Sequence, residues 1–296
     1  MGRERRMLAP VWCKRLVVGV LLALAGAFLV ASAGAEPPAD KSEYTLFNPT
    51  PRDLRRPIVA DRPGFGDSPI TVDAGAIQVE TSLVGYARES DDGDVQKTWS
   101  FGGNTSIRVG LWDDLEFQFA FTPYQRQRDS PENSPAETNR GFSDLTLRAK
   151  YNLWGNEEGA TSLALFPFLT LPTDAEFSTD KVSGGLSVPF EWAFAEGRAF
   201  TATVVASAPY DGDANDYDFE FFHTIGISSV LVGGLGGYVE YGGSTGSGSA
   251  STYISRFNAG MTLELTPSLV LDTEGIVGVG NAAGDYEINL GLTFRY

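Results

Sequence analysis

The sequence predicts an all-β protein: a transmembrane, up-and-down antiparallel β-barrel of about 12 strands, preceded by a short N-terminal non-barrel segment. Three observations lead there. Apolar and polar residues alternate with period two from Ala76 to Tyr296, ending on "DYEINLGLTFRY" (285–296). Long polar connections alternate with tight ones, and tryptophan and tyrosine gather at strand ends. Such alternation marks strands rather than helices, because successive side chains on a strand point to opposite faces.

Residues 1–35 read as an export leader. Arg3, Arg5, Arg6, Lys14 and Arg15 form a basic front, Leu16 to Ala33 is apolar, and Ala33-Gly34-Ala35 is a small-residue cleavage site. A retained anchor is the competing reading, since the apolar run nearly reaches the length of a membrane helix. Cleavage near Ala35 removes five of the 22 Lys+Arg and one of the 38 Asp+Glu, leaving 17 against 37, a net charge of −20. It also removes Cys13, the single cysteine, which excludes disulfides and thiolate metal sites. So acidic a chain is a poor partner for nucleic acid, which demands basic surface. No later stretch approaches the ~18 continuous apolar residues of a membrane helix.

Residues 36–74 are rich in proline and charge and lack periodicity. Arg52, Arg55, Arg56 and Arg62 would pair with acidic groups inside the barrel if the segment folds inward as a plug. A periplasmic tail is the other reading. "PGFGDSP" (63–69) is turn-forming and leads towards the first strand.

The barrel is expected over 75–296. Residues 76–87 set Ile77, Val79, Leu83 and Ala87 against Gln78, Glu80 and Ser82. Residues 98–111 set Trp99, Phe101, Ile107, Val109 and Leu111 against Ser100, Asn104, Ser106 and Arg108. Residues 115–124 oppose a phenylalanine row to Glu116, Gln118 and Thr122, and 145–153 oppose Leu145, Leu147 and Tyr151 to Arg148 and Lys150. Weaker alternation marks 161–172, 185–194, 199–210, 218–230 and 235–243, where Pro167, Pro189 and several glycines intervene. The pattern recovers at 252–265, 268–276 and the final strand, with Arg256, Glu264, Glu274, Glu287 and Arg295 on the polar side.

Polar loops are expected at 88–97, 125–144, 173–184, 211–217, 244–251 and 277–284, with tight links at 112–114, 154–160, 195–198, 231–234 and 266–267. Long then short is the connection pattern of an outer-membrane barrel. Twelve strands enclose more space than the eight that side chains can fill, so the polar face suits a wet interior and the apolar face meets lipid. Glu80, Arg108, Glu116, Arg148, Lys150, Arg256, Glu264, Glu274, Glu287 and Arg295 are therefore the candidate lumen residues. Trp112, Trp154, Trp192, Phe194, Phe294 and Tyr296 fall at the short-turn ends, and Tyr86, Trp99, Tyr124, Tyr210, Tyr241, Tyr253 and Tyr286 at the long-loop ends. Two such belts match the girdles of membrane interfaces. Export and a barrel of this kind point to the outer membrane of a Gram-negative cell.

"DRPGFGDSPITVDAG" (61–75) running into "IQVE" (77–80) resembles the opening of a bacterial outer-membrane family, the phenol meta-pathway degradation family. "GFSDLTLRAKYNL" (141–153), "FPFLTLPT" (166–173) and "GGYVEYGG" (236–243) are similar to its later strands, so the resemblance covers 58–296. The Gly-Asp usual after "LPT" is Asp174-Ala175 here. The resemblance implies an outer-membrane β-barrel transporter with a role in uptake of aromatic or other small hydrophobic compounds, and carries no substrate residues with it.

Chemistry is scarce. His223 is the single histidine, on the parity of Phe219, Phe221, Ile225 and Ile227, and residue 225 is Ile where a barrel phospholipase has its serine. "DGDANDYD" (211–218) and "ESDDGD" (89–94) group carboxylates, but neither has the closing glutamate of an EF-hand. Solvated loop tips, bridged by cations to lipopolysaccharide, account for them. "GGSTGSGSAS" lacks the lysine of a phosphate-binding loop. No catalytic residue, metal site or cofactor is assigned.

The function expected is a channel or transporter for passive or facilitated passage of small molecules, aromatic or hydrophobic ones included. A closed structural barrel acting through its loops is the alternative, and an outer-membrane enzyme comes third. Expected partners are outer-membrane lipid, lipopolysaccharide and the barrel-assembly machinery. For the last of these, Phe294 and Tyr296 resemble the terminal aromatic signal. Deleting Tyr296 should lower the yield of heat-modifiable barrel in membranes; unchanged yield would count against an assembly role.

Overall fold

The computed structural model describes residues 40–157, 159–179, 181–280 and 282–296, so the expected leader and its cleavage site lie outside the described residues. In chain order the strands are β1 (Ile77–Asp91), β2 (Asp94–Phe101), β3 (Gly103–Gly110), β4 (Leu115–Phe121), β5 (Tyr124–Ser130) and β6 (Glu137–Gly141). There follow β7 (Leu145–Trp154), β8 (Thr161–Leu171), β9 (Ser183–Ala195), β10 (Arg198–Ala208), and the two-residue β11 (Tyr210–Asp211) and β12 (Asp216–Tyr217). The chain finishes with β13 (Glu220–Val232), β14 (Leu235–Gly246), β15 (Ile254–Thr266), β16 (Leu269–Val279) and β17 (Tyr286–Arg295).

Twelve of these form a closed antiparallel barrel in the order β17-β16-β15-β14-β13-β10-β9-β8-β7-β4-β3-β1, with β1 pairing back onto β17. The closing register runs from Gln78↔Arg295 to Arg88↔Tyr286. Each of the 12 segments expected from alternation overlaps one barrel strand, and 98–111 also takes in the end of β2 before β3. The terminal strand therefore has a neighbour on each side, and no barrel edge is left to attract other chains.

Burial is inverted relative to a water-soluble protein. Arg108, Glu116 and Lys150 are 0% exposed, whereas Ile227, Val239, Phe257, Leu169 and Ile288 are more than half exposed. A continuous apolar belt of this kind is not tolerated against water but is what lipid solvates. Inside lipid a sheet satisfies its backbone only by closing on itself.

Two expectations are corrected by the structure. Residues 88–97 and 125–144 are not loops for most of their length. β1 runs on to Asp91 and β2 starts at Asp94, joined by a turn in which Asp92 and Gly93 have φ of 43° and 94°. Positive φ at both central residues is the hairpin geometry that Asp-Gly favours, so the polar run is a turn signal inside a longer strand pair. β5 and β6 extend the same flap, pairing β1-β2-β5-β6 beyond the barrel wall. The second correction is Ala87. A bulge between Ser82 and Val84 shifts the register, so Ala87 stands opposite Glu287, away from the face of Ile77 and Val79. An extra residue in one strand inverts every side chain after it.

Lysine at Ile227, 52% exposed on the apolar face, should destabilise the barrel in bilayers by about 2–4 kcal/mol. Denaturant titration of vesicle-folded protein measures this, and no loss would mean that this face does not contact hydrocarbon.

Candidate functional site

The chain before the first strand crosses the short-turn end of the barrel and then enters it. Thr45 forms a β-bridge with Trp112, and Leu46 N–H donates to Leu111 O at 2.8 Å. Arg55 Nη1 donates to the Tyr296 backbone oxygen at 3.1 Å. Asp73, fully buried, accepts from Lys41 Nζ at 3.1 Å and from Arg56 N–H at 3.1 Å. Arg56 also reaches Asp113 at 2.9 Å and Glu157 at 3.1 Å, and Arg295 stands 3.7 Å from Asp73. Asp73, Asp113 and Glu157 offer oxygens within 4.8 Å of one another, but Lys41 and Arg56 already neutralise them.

From Arg56 the backbone runs into the lumen and returns to the mouth at Thr71, whose hydroxyl donates to Asp113 O at 2.7 Å. Three prolines, Pro57, Pro63 and Pro69, favour extended backbone before each of them and exclude a helix. Such a segment has no strand partner, so its N–H groups need other acceptors. Lumen side chains supply them. Asp61 N–H donates to Glu80 at 3.0 Å, Gly64 N–H to Glu274 at 3.1 Å, Phe65 N–H to Glu240 at 2.7 Å and Val72 N–H to Glu116 at 2.6 Å.

Charge does the rest. Arg108 donates to both oxygens of Glu116 at 3.0 and 2.9 Å and to Glu80 at 2.7 Å. Asp61 enters this cluster, accepting from Lys150 at 2.5 Å and Gln118 at 2.8 Å. Arg62, the next residue, turns the other way round the wall and donates to both oxygens of Asp272 on β16 at 3.0 and 2.8 Å and to the Ser82 hydroxyl on β1 at 2.9 Å. Further in, Asp67 accepts from Arg148 at 2.7 Å, whose guanidinium lies 3.8 Å from the centre of the Phe166 ring. Burial alone would raise the Asp61 carboxyl, but Arg108, Lys150 and Arg148 outweigh it and hold it well below the usual carboxylate range.

The structure thus brings Glu80, Arg108, Glu116, Arg148, Lys150 and Glu274 into contact with the segment or its ion pairs. Arg295 joins the Asp73 centre at the mouth. Glu287 accepts from Asn289 at 2.7 Å, and Arg256 lines a small cavity at the long-loop end with it. Glu264 is exposed near the short-turn end, apart from the others.

Residues beyond that set also matter. Asp61, Phe65 and Asp67 come from the aperiodic segment, where strand parity says nothing. Phe166 lies inside because β8 turns Ser162 and Ala164 inward on the same parity, a pattern too weakly polar to read alone. Gly291 carries its own signal: a Cβ there would collide with the Arg62 guanidinium, so the strand has a gap where the arginine passes.

The segment does not fill the barrel. A cavity of about 450 Å³ remains between Arg62, Pro63 and Asp67 on one side and Glu191, Tyr238 and Glu240 on the other. His223 lies elsewhere, on the outer face of β13, stacked 5.9 Å from Phe221 and 3.4 Å from the Tyr253 hydroxyl. In the acidic loops, Asp211 accepts from the N–H groups of Asp213 and Ala214, and Asp94 from that of Glu132. These carboxylates order loop backbone.

Residues 60–296 match the family model described as "Putative MetA-pathway of phenol degradation". No curated protein matches the chain. An outer-membrane channel from Pseudomonas putida F1 is similar over 75% of this chain and 95% of its own, at 14% identity and a TM-score of 0.59. The transport unit of the autotransporter AIDA-I from Escherichia coli is similar over 75% of this chain and 89% of its own, at 12% identity and a TM-score of 0.52. Likeness at these identities is likeness of fold.

Replacing Arg108 by Met leaves Glu80, Glu116 and Asp61 buried with one cation fewer. The expected loss of stability is about 3–5 kcal/mol in denaturant titration, and Arg108→Met combined with Glu116→Leu should recover part of it. Equal stability of Arg108→Met and wild type would show that the cluster is not buried.

Proposed function

As the chain belongs to the family described as "Putative MetA-pathway of phenol degradation", we propose that it is an outer-membrane channel whose N-terminal segment narrows the lumen to a side passage for small molecules. The observation that carries this reading is the asymmetric placement of the segment. It is latched to β1, β3, β4 and β7 through Asp61 and to β16 through Arg62, and leaves the cavity of about 450 Å³ against β9, β10, β13 and β14. That volume accommodates a small molecule rather than a folded domain.

The walls of this space suggest its selectivity. Ala193, Ala195, Ala199 and Val230 are apolar, Tyr238 is polar, and the acids Asp61, Asp67, Glu191 and Glu240 outnumber the cations Arg62 and Arg198. Neutral compounds with a ring or short apolar body, and small cations, fit such a lining better than anions do. Aromatic compounds belong to this class. Passage needs no energy coupling: the segment sets the bore, and movement follows the concentration gradient. The surroundings of His223, an aromatic cluster on the outer face, favour a structural role there over catalysis.

A closed barrel acting through its loops is the second reading, favoured by the satisfied ion network around Asp61. Planar-bilayer recording separates the two. Wild type should give small unitary currents, and Asp61→Asn with Arg62→Gln, which loosens both latches, should give currents several-fold larger. Glu191→Gln with Glu240→Gln should lower the preference for cations over anions. Absence of currents from wild type and the unlatched variant alike, without solute uptake into vesicles, would overturn the channel.

A further inference from the structure

The flap of β1, β2, β5 and β6 carries a cation cluster that the passage does not use. Register places Lys97 opposite Arg128 and Trp99 opposite Arg126, with Phe101 opposite Tyr124. Arg126 is in turn opposite Arg140. Residues opposite one another share a face, so Lys97, Arg126, Arg128 and Arg140 form one patch. The face is the outer one: Trp99 packs 4.6 Å from Tyr86, which stands 6.0 Å from Tyr286 on the barrel exterior. The cations therefore lie just beyond the long-loop aromatic belt, at the height of lipid headgroups.

Among the described residues, no ion pair neutralises Lys97, Arg126, Arg128 or Arg140. Arg88, the nearby cation of β1, is engaged with Asp285. Asp129 and Glu137 face each other on the reverse side of the flap, where Asp129 accepts from Gln96 at 2.9 Å. Asp91, Asp94 and Glu132 lie at the hairpin tips, with Asp94 accepting from Glu132 N–H. Arg126 Nε is buried without a hydrogen-bond partner. Like charges paired across strands destabilise a sheet, and a chain of net charge −16 has acids to spare for balancing them. Lys97, Trp99, Arg126, Arg128 and Ser130 instead border a concavity of about 410 Å³.

We infer that this patch binds the phosphate groups of an outer-leaflet lipid, with acyl chains descending past Phe101 and Tyr124. Arginine forks match phosphate oxygens bidentately, and Ser130 adds a hydroxyl donor. The apolar rings directly below select a phosphate that carries a lipid tail over a free one. The inference needs the barrel to sit in a membrane but is independent of whether the lumen conducts.

Native mass spectrometry of the detergent-folded full barrel tests it, with bisphosphorylated lipid A, its dephosphorylated form and inorganic phosphate as separate probes. Bisphosphorylated lipid A should bind saturably, and the other two about tenfold more weakly or less. Lys97→Gln, Arg126→Gln and Arg128→Gln together should weaken binding about tenfold or more, while Arg126→Lys with Arg128→Lys, which keeps the charge but loses both forks, should fall between that and wild type. If the triple variant does not fold by heat-modifiability, Arg128→Gln alone, at an exposed position, should show the same direction. Equal binding of the dephosphorylated lipid, undiminished binding by a folded triple variant, or equal affinity for inorganic phosphate would each overturn the assignment.

Discussion

Asp61 and Arg62 are neighbours of opposite charge on extended backbone, so their side chains leave the chain in opposite directions. One meets Arg108 and Lys150 on β3 and β7, the other Asp272 on β16, to either side of β1 and β17. This single dipeptide ties the N-terminal segment to one continuous arc of the wall, from β16 round to β7, whose charges would otherwise be unbalanced. Burying Arg108 is tolerable only because Glu80, Glu116 and Asp61 surround it. Neither partner is comfortable alone when buried as deeply as these are. The barrel wall and the segment thus depend on each other, and the form of the passage follows from where the pairs fall.

The same constraint acts on the backbone. A tube in lipid closes its sheet so that every strand N–H and C=O has a partner, and β1 on β17 accomplishes this. The segment inside has no such ladder. Its N–H groups are met by Glu80, Glu116, Glu240 and Glu274, so four of the inward carboxylates act as acceptors for main chain. Acidity inside the barrel therefore balances arginine and also solvates an irregular backbone where a strand cannot go. Gly291 shows that the wall is shaped to match, with the Cβ missing where Arg62 crosses.

This division explains what was legible in the sequence. Barrel strands announce themselves because one face meets hydrocarbon and the other does not, which imposes period two on Phe117 and Phe119 against Glu116 and Gln118. Where that contrast lapses, so does legibility. The flap lies beyond the hydrocarbon, so residues 125–130 and 137–141 carry no apolar side chains and read as loop. The bulge after Ser82 has no compositional mark, and Ala87 moved to the other face without notice. The lumen path of 57–70 was open to two readings because its order comes from long-range charge. Arg62 and Asp272 are 210 residues apart, and no local pattern joins them.

Charge is also sorted between the compartments the barrel separates. Most inward cations are matched by acids within hydrogen-bond reach, whereas Lys97, Arg126, Arg128 and Arg140 stand together on the outside of the flap. Inside, isolation from water makes an unpaired charge costly, so pairing is enforced by folding itself. Outside, at headgroup height, an unpaired cation meets an anionic surface and needs no protein partner. The flap's register, fixed by the Asp92-Gly93 turn, keeps those cations in line with Trp99 and Phe101. A slip of one residue in β2 would turn Lys97 and Trp99 to the reverse face, the side of Asp129, and break up the patch. The turn that makes the flap a strand pair instead of a loop is therefore what presents its charge to the membrane.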